Sequence, residues 1–368
     1  MNIEALLHPT VADRQSLQEF VDALIDQIPN IERDIVRLKR TPDDKALIAD
    51  LFRALHNIKG DAAMCHVELG VLIAHPIETL LARLRSNEIE FSELLAEVIL
   101  LAMDRLELAV EALNANRSLT QLKLVELVGG LDILASDKGG LLDAHAVQLI
   151  EAVTGFRPVL SSAAQEIKHA GFHGERRSGS VATDLTFFHS LALMFEARSP
   201  RFLGRTERQL KLALETSAGS SQPVDPVQLE AAVYFHDIGM MFLPEHLWLA
   251  GGKLTDEEKR LLQSHPSQAA GLLERREGWQ GAAEIVAQHH EMPDGGGYPK
   301  HLKDGAICAG AKILAIVDAF EAVTLKHSDR GHSRSVLRAI AEVNACDNQF
   351  APEWIGPFNA VIRRIVET

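Results

Sequence analysis

Histidines and carboxylates that could hold a metal ion are spread over the second half of the sequence. His236-Asp237 follows an apolar run at 231–235, which predicts a carboxylate at the buried end of a helix. A carboxylate in that position is costly unless it is paired or bound to a metal. The other candidates are His265, the pair His289-His290, and Asp318 within an apolar stretch. Four histidines and two carboxylates are suitable ligands for one or two zinc, manganese or iron ions.

The paired histidines lead into a glycine-rich loop, which runs Glu-Met-Pro-Asp-Gly-Gly-Gly-Tyr-Pro over residues 291–299. Three consecutive glycines permit positive φ and a close approach of a ligand at Gly297. Tyr298 could stack on a base or hydrogen-bond to a phosphate. A pair of bridged metal ions beside such a loop would generate hydroxide at neutral pH and hold a phosphodiester for in-line attack.

A further histidine, His56, stands in a predicted helix with its apolar neighbours on the opposite side. Phosphoryl transfer to an imidazole requires an exposed ring nitrogen, a nearby cation and room for a partner domain. Lys59 is close enough to meet a phosphoryl group, and Gly60 removes a side chain from the approach path. Glu78, on the next helix, could bind the other ring nitrogen and fix the tautomer. A histidine and lysine on a helix surface are nevertheless more often solvated residues without a role.

The elements that must position these residues are predicted to be helices throughout. Over residues 14–115, apolar residues at three- and four-residue spacing predict a first helix interrupted or kinked at Pro29, then helices over 45–64, 68–84 and 93–113. Short loops between them indicate an antiparallel four-helix bundle. The pattern weakens over 116–180, which we interpret as a partly helical connector, and helical periodicity resumes over 181–368. The predicted fold class is all-α.

Composition restricts the partners. With 37 basic and 51 acidic residues, the chain has a net charge of −14, which argues against nucleic acid or an anionic membrane surface as a partner. An anionic substrate would then need a locally positive site, which bound metal ions would provide. No apolar stretch is long enough to span a membrane, and the N-terminus does not resemble a signal peptide. We therefore expect a cytoplasmic protein.

The first half of the chain resembles a known family. The strings at 51–63 (LFRALHNIKGDAA) and 72–81 (LIAHPIETLL) are similar to the histidine phosphotransfer (HPt) domains of chemotaxis-type kinases, over about residues 14–115. The resemblance implies that His56 is the phosphoacceptor, supported by Lys59, His75 and Glu78. It also implies a histidine kinase or a response-regulator receiver domain as partner. A purely structural bundle is the alternative.

The second half resembles the HD-GYP family, whose members hydrolyse cyclic diguanylate, over roughly residues 183–340. The similarity rests on the His-Asp-Ile-Gly string at 236–239, on the loop at 289–299 and on Asp318. It implies a divalent metal site and a catalytic, bridging role for Asp237. The ligands that it implies are His236, Asp237, His265, His289, His290 and Asp318, with Gly297 and Tyr298 next to the substrate.

Several positions depart from the family pattern. Arg205 stands where the family has its first ligand histidine, and arginine does not normally bind metals, although it could contact a substrate phosphate. Met240 replaces a lysine and Glu321 an aspartate, and the string at 326–330 replaces Arg-Pro-Tyr-Arg. Three hypotheses stay open. The chain is a phosphodiesterase with one or two iron, manganese or zinc ions; or its second half is a degenerate docking module that binds metal or nucleotide weakly or not at all, with the bundle as the active part; or it is a structural scaffold. Formation of a homodimer also stays open.

Overall fold

Helices form the regular structure of the chain. A computed structural model describes residues 6, 9, 14–138, 140–158, 179–249, 254–325, 335–346 and 349–367, so the string at 326–330 lies outside the described residues. Within these ranges there is no β-strand, only one isolated bridge, and the predicted all-α class is confirmed. None of the helices in these ranges combines the length and the apolar character needed to cross a membrane.

The α-helices are, in chain order, α1 (Arg14–Arg40), α2 (Lys45–Met64), α3 (Glu68–Arg85), α4 (Glu93–Asn114), α5 (Leu124–Ser136), α6 (Leu142–Thr154), α7 (Gly179–Glu196), α8 (Arg205–Ala218), α9 (Pro226–Phe235), α10 (His246–Leu249), α11 (Asp256–Leu262), α12 (His265–Glu274), α13 (Gln280–Gln288), α14 (Ala309–Leu325), α15 (Val336–Ala345) and α16 (Pro352–Glu367). They form two compact units. The first comprises residues 1–160 and 329–345, and the second comprises 161–328 and 346–368.

The first unit begins with the predicted four-helix bundle, α1 to α4. Helix α1 continues through Pro29 as a single helix. Local signals start the other helices: Asp44 accepts hydrogen bonds from the amides of Ala46 and Leu47 at the start of α2, and Ser92 accepts one from Leu95 at the start of α4. The apolar faces of these helices meet in one continuous core.

Three more helices pack in this unit. Helices α5 and α6, in the range predicted as a connector, pack against α3 and α4, and α15 packs against α4 and α6. Helix α15 brings the buried Arg338, whose guanidinium binds both oxygens of Asp104 at 2.7 Å and Glu32 at 2.8 Å. The two compact units are defined by which helices pack together and not by position in the sequence. The domain boundaries at residues 115 and 180 therefore stay predictions.

The second unit is organised around α9. Asp225 caps this helix and Pro226 occupies its first turn, while residues 229–235 are all buried. A helix that is buried on every side lies in the centre of its domain, and α9 packs against α7, α8 and α13. Its C-terminal end therefore delivers His236 and Asp237 into the interior.

Candidate metal centre and phosphotransfer site

Three buried histidines of the second unit lie at helix ends and are oriented in the same way. Each places its ring Nδ1 against the carbonyl oxygen three positions earlier: His236 on Val233 (2.8 Å), His265 on Leu262 (2.8 Å) and His289 on Val286 (2.7 Å). Because a carbonyl only accepts, Nδ1 is the protonated nitrogen. Nε2 of each ring is thereby turned towards the site, and helix geometry sets its direction.

The six predicted ligands fall into two adjoining groups. In one, ring nitrogens of His265, His289 and His290 lie within 4.8 Å of one another; in the other, the same limit holds for atoms of His236, Asp237 and Asp318. Oδ1 of Asp237 connects the groups, since it lies 3.6 Å from Nε2 of His265. The structure thus brings together all six residues that the sequence singled out.

Unsatisfied buried atoms show what the first group is suited to. Nε2 of His265, Nε2 of His289 and Oδ1 of Asp237 are buried and have no hydrogen-bond partner among the described residues. Buried polar atoms without partners are costly, and two imidazole nitrogens and a carboxylate oxygen that converge are donors for a transition metal. These residues therefore fit a divalent metal ion.

The guanidinium of Arg205 lies among the side-chain atoms of the second group. Its Nη2 lies 2.6 Å from Oδ2 of Asp237, 2.7 Å from Oδ1 of Asp318 and 3.3 Å from Nε2 of His236. Arg205 is the first residue of α8, where the buried carboxylate of Glu196 accepts hydrogen bonds from the amides of Gly204 and Thr206. The contact of Arg205 with a substrate phosphate stays a prediction.

Helices α8 and α14 are joined by further polar contacts beside Arg205. Gln209 donates to Oδ1 of Asp318 (3.1 Å), and Arg208 donates from Nε to the buried Glu321 (2.9 Å). Residues 205, 208 and 209 share one face of α8, as residues 318 and 321 share one face of α14. The sequence did not single out Gln209, because a glutamine in an amphipathic helix gives no indication of a role in a site.

The two groups differ in their electrostatics. Burial lowers the pKa of His265 and His289, and that of His290 to about 4, so these rings are neutral at pH 7. Burial alone would also lower the pKa of His236, but Asp237 outweighs it and raises the value to about 9. Burial would raise the pKa of Asp237 and of Asp318, but the adjacent cations hold both well below the ordinary range. The first group is neutral, whereas the second is a cluster of paired charges.

The glycine-rich loop folds back on the paired histidines. A Cβ at Gly297 would lie 2.3 Å from the amide nitrogen of Met292 and 2.4 Å from the carbonyl oxygen of His290, so only glycine fits. The next residue, Tyr298, donates its amide to the His290 carbonyl (3.1 Å) and stacks its ring on the imidazole at a centroid distance of 4.7 Å. Burial raises the pKa of Tyr298, which keeps the hydroxyl protonated.

Two further residues position this region. The buried carboxylate of Glu291 accepts hydrogen bonds from the amides of Lys300 (2.6 Å) and Leu302 (2.8 Å) and so fixes the loop. Glu291 was not among the residues predicted for the site, although a carboxylate inside a glycine-rich loop is a signal for hydrogen bonds with backbone amides. At Gly239, a Cβ would lie 2.1 Å from the carbonyl oxygen of His265, so the turn at 238–242 packs directly against the backbone of this candidate ligand.

The first unit assembles the predicted phosphotransfer residues. The side chain of His56 is 62% exposed, and its Nδ1 lies 2.6 Å from Oε1 of Glu78. Lys59 binds the other oxygen of Glu78, and Nδ1 of His75 lies 3.8 Å from it. Burial raises the pKa of Glu78, but the hydrogen bonds from Lys59 and His56 outweigh it and the pKa is lowered. A Cβ at Gly60 would meet nothing within 4 Å, so the surface beside His56 is open.

Comparisons with known proteins find a different family in each part of the chain. Residues 15–116 match the Hpt domain family and residues 190–351 match the HD domain family. A cyclic di-GMP phosphodiesterase of Vibrio cholerae is 33% identical over 139 residues, which are 36% of this chain and 28% of the relative. A cyclic di-GMP phosphodiesterase of Thermotoga maritima is 29% identical over 143 residues, 38% of this chain and 39% of the relative.

A 3'3'-cGAMP-specific phosphodiesterase 1 of V. cholerae is 35% identical over 109 residues, 28% of this chain and 25% of the relative. The chain therefore spans about a quarter to two fifths of the length of these curated relatives. The predicted order of an HPt-like bundle followed by an HD-type region is confirmed: the chain consists of an Hpt domain joined to an HD domain.

Proposed function

We propose that the HD domain hydrolyses a phosphodiester bond of cyclic diguanylate and that the Hpt domain carries a phosphoryl group on His56. The observation that carries the first part is the convergence of three unsatisfied buried atoms, Nε2 of His265, Nε2 of His289 and Oδ1 of Asp237. The similarity to phosphodiesterases of cyclic dinucleotides supports the choice of substrate.

The residues of the chain have separate tasks in this hydrolysis. Neutral imidazoles, with Asp237 beside them, would hold a divalent metal ion, which supplies a hydroxide at neutral pH and polarises the phosphoryl group. Oδ1 of Asp237, which has no hydrogen-bond partner among the described residues, would complete the set of atoms that hold this ion, and in this way Asp237 would take part in catalysis. Tyr298, protonated and stacked on His290, presents a ring and a hydroxyl to a base or phosphate.

The phosphotransfer step uses the other half of the chain. Because Nδ1–H of His56 donates a hydrogen bond to the Glu78 carboxylate, Nε2 carries the lone pair. Nε2 attacks the phosphorus of an aspartyl phosphate on a receiver domain; the N–P bond forms, the P–O bond breaks, and the aspartate leaves as a carboxylate. The ammonium group of Lys59 lies on the same carboxylate and offers a positive charge to the transferred group.

Cyclic diguanylate turnover by the full-length protein tests the hydrolase. The protein is stripped with a chelator, reloaded anaerobically with Mn(II), Fe(II) or Zn(II), and the linear products are separated by chromatography. We expect metal-dependent turnover that is lost in Asp237→Ala and kept in Asp256→Ala, whose exposed carboxylate pairs with Lys259. Turnover of 3'3'-cGAMP in place of cyclic diguanylate would change the assigned substrate.

A second function has its own observation in its favour. Arg205 binds both Asp237 and Asp318, which occupies carboxylates that a metal pair would otherwise share. An HD domain that binds without hydrolysing would act as a docking module for the phosphorelay. Absence of turnover with all three metals, together with labelling of wild type but not of His56→Gln by a phosphorylated receiver domain, would select this function.

A further inference from the structure

The two groups of candidate ligands in the HD domain differ in whether another side chain lies among their atoms. Nη2 of Arg205 lies within 3.3 Å of one ligand atom from each member of the second group, so it stands where an ion bound to all three would stand. Metal–ligand bonds to nitrogen and oxygen are about 2.0–2.2 Å, which leaves no room for an ion and this nitrogen together.

One oxygen of each carboxylate in this group also accepts hydrogen bonds already. Oδ1 of Asp318 accepts from Arg205 and from Gln209 (3.1 Å), and Oδ2 of Asp237 accepts from Arg205. Glu196 fixes the backbone at the start of α8, which carries Arg205, and the side chain of Arg205 is only 11% exposed. Arginine stays protonated in proteins, so this positive charge is permanent.

Among the residues that the structure describes, none occupies the first group in this way. Nε2 of His265, Nε2 of His289 and Oδ1 of Asp237 are unsatisfied, and His290 completes the cluster. Asp237 is divided between the two groups: Oδ2 faces the guanidinium, while Oδ1 lies 3.6 Å from Nε2 of His265. One carboxylate can therefore connect a bound ion and a fixed organic cation.

We propose that Arg205 replaces one ion of a metal pair, and that the HD domain binds a single metal ion through His265, His289, His290 and Oδ1 of Asp237. Asp318 is then a partner of the guanidinium, His236 lies beside it, and neither is a metal ligand. The proposal rests on the metal-dependent function proposed above and specifies its centre as one metal ion beside one arginine. The phosphodiester would face a divalent ion on one side and a guanidinium on the other.

Metal stoichiometry of the full-length protein tests this. Chelator-stripped protein is titrated with Mn(II) and Zn(II), passed over a desalting column, and analysed for metal and protein. We expect about one equivalent for wild type, for Arg205→Lys and for the control Arg198→Ala, which removes an exposed ion pair with Glu245. Arg205→His exchanges the cation for a ligand and should bind about two equivalents. Circular dichroism establishes that each variant is folded.

Ligand variants in the wild-type background keep the test independent of the folding of Arg205→His. His289→Ala should lose the ion, whereas His236→Ala should retain it, and Mn(II) bound to wild type should give the electron paramagnetic resonance spectrum of an isolated ion. Two equivalents in wild type, a coupled Mn(II) pair, or equal loss in His236→Ala and His289→Ala would overturn the single-ion proposal alone. Folded wild type that binds no metal would instead overturn the metal-dependent function and this proposal with it.

Discussion

Nδ1 of His56 lies 2.6 Å from Oε1 of Glu78, across the contact between α2 and α3. The carboxylate is buried and ionised, so it accepts a hydrogen bond from Nδ1–H and leaves Nε2 of an exposed ring unprotonated. A single contact between two helices thus sets both the orientation and the tautomer of the imidazole.

Glu78→Ala should therefore slow phosphotransfer to His56 while leaving the bundle folded. Loss of the partner that orients a functional histidine costs roughly 10–100-fold in related cases, and we expect a similar decrease in the rate of labelling by a phosphorylated receiver domain. Glu88→Ala is the matched control, since it removes an exposed carboxylate that lies beyond the end of α3, where it pairs with Arg83. A rate for Glu78→Ala equal to that of the control would refute the orienting role.

The lowered pKa of Glu78 predicts a pH dependence of stability. A carboxylate with a lowered pKa in the folded state contributes stability above its unfolded pKa, near 4.3, and loses it as the pH falls through the lower folded value. Urea unfolding of wild type and Glu78→Gln should thus differ more at pH 7 than at about pH 4. A difference that grows on acidification would show that the pKa is shifted in the opposite direction.

Gly60→Ala tests whether a phosphotransfer partner approaches the surface at this position, separately from the effect of the substitution on stability. Since a Cβ at this position meets nothing within 4 Å, alanine should stabilise α2 by about 0.5–1 kcal/mol. The added methyl group would nevertheless stand on the surface next to His56, and phosphotransfer should slow. Gly129→Ala, which is also free of contacts but lies on α5, should stabilise without slowing transfer. Equal transfer by both variants would place the partner's approach elsewhere.

Gly239→Ala should weaken metal binding through His265. The new Cβ would lie 2.1 Å from the carbonyl oxygen of His265, so the start of α12 must move and carry the imidazole with it. We expect roughly a 10–100-fold loss of metal affinity, measured by competition with a chromophoric chelator. Gly271→Ala, on the same helix with no atom within 4 Å, should leave the affinity unchanged. Loss of affinity in both variants would point to the helix as a whole.

Arg338→Ala should destabilise the first unit strongly. Its removal leaves Asp104 and Glu32 buried without their cation, and breaking a buried ion pair in this way costs about 3–5 kcal/mol. Arg364→Ala, which removes an exposed ion pair with Glu215, should cost less than about 1 kcal/mol. Thermal melting followed by circular dichroism distinguishes the two, and similar melting temperatures would contradict the prediction.

The sequence predicted the fold class, because helix signals are local. It also singled out residues that the structure brings together around His56 and in the His-Asp set, because these lie in strings with specific spacing. It did not predict how the ligands divide into two groups. That division depends on Nη2 of Arg205, which reaches Asp318 113 positions away. Positional comparison indicated only that a histidine is absent at 205, whereas the structure shows a cation in contact with three of the expected ligands.

Other residues escaped prediction for a similar physical reason. Gln209 acts through a contact with the carboxylate of Asp318, and it does not stand in a pattern that distinguishes it from an ordinary helix residue. Arg338 reaches Asp104 234 positions earlier in the chain. Long-range polar contacts of this kind follow from packing, which periodicity does not encode.

The position of α15 has a consequence for truncation and for chimeras. This helix lies inside the sequence range of the HD domain family, but it packs in the same compact unit as the Hpt bundle. A fragment cut at residue 181 would expose the buried faces of Ala339 and Ile340 and strand Arg338, while residues 1–160 alone would keep Asp104 without its cation. Neither half is a self-contained segment of chain, so a single cut or a single crossover cannot exchange one for a homologue. Swaps should transfer residues 329–345 together with the bundle.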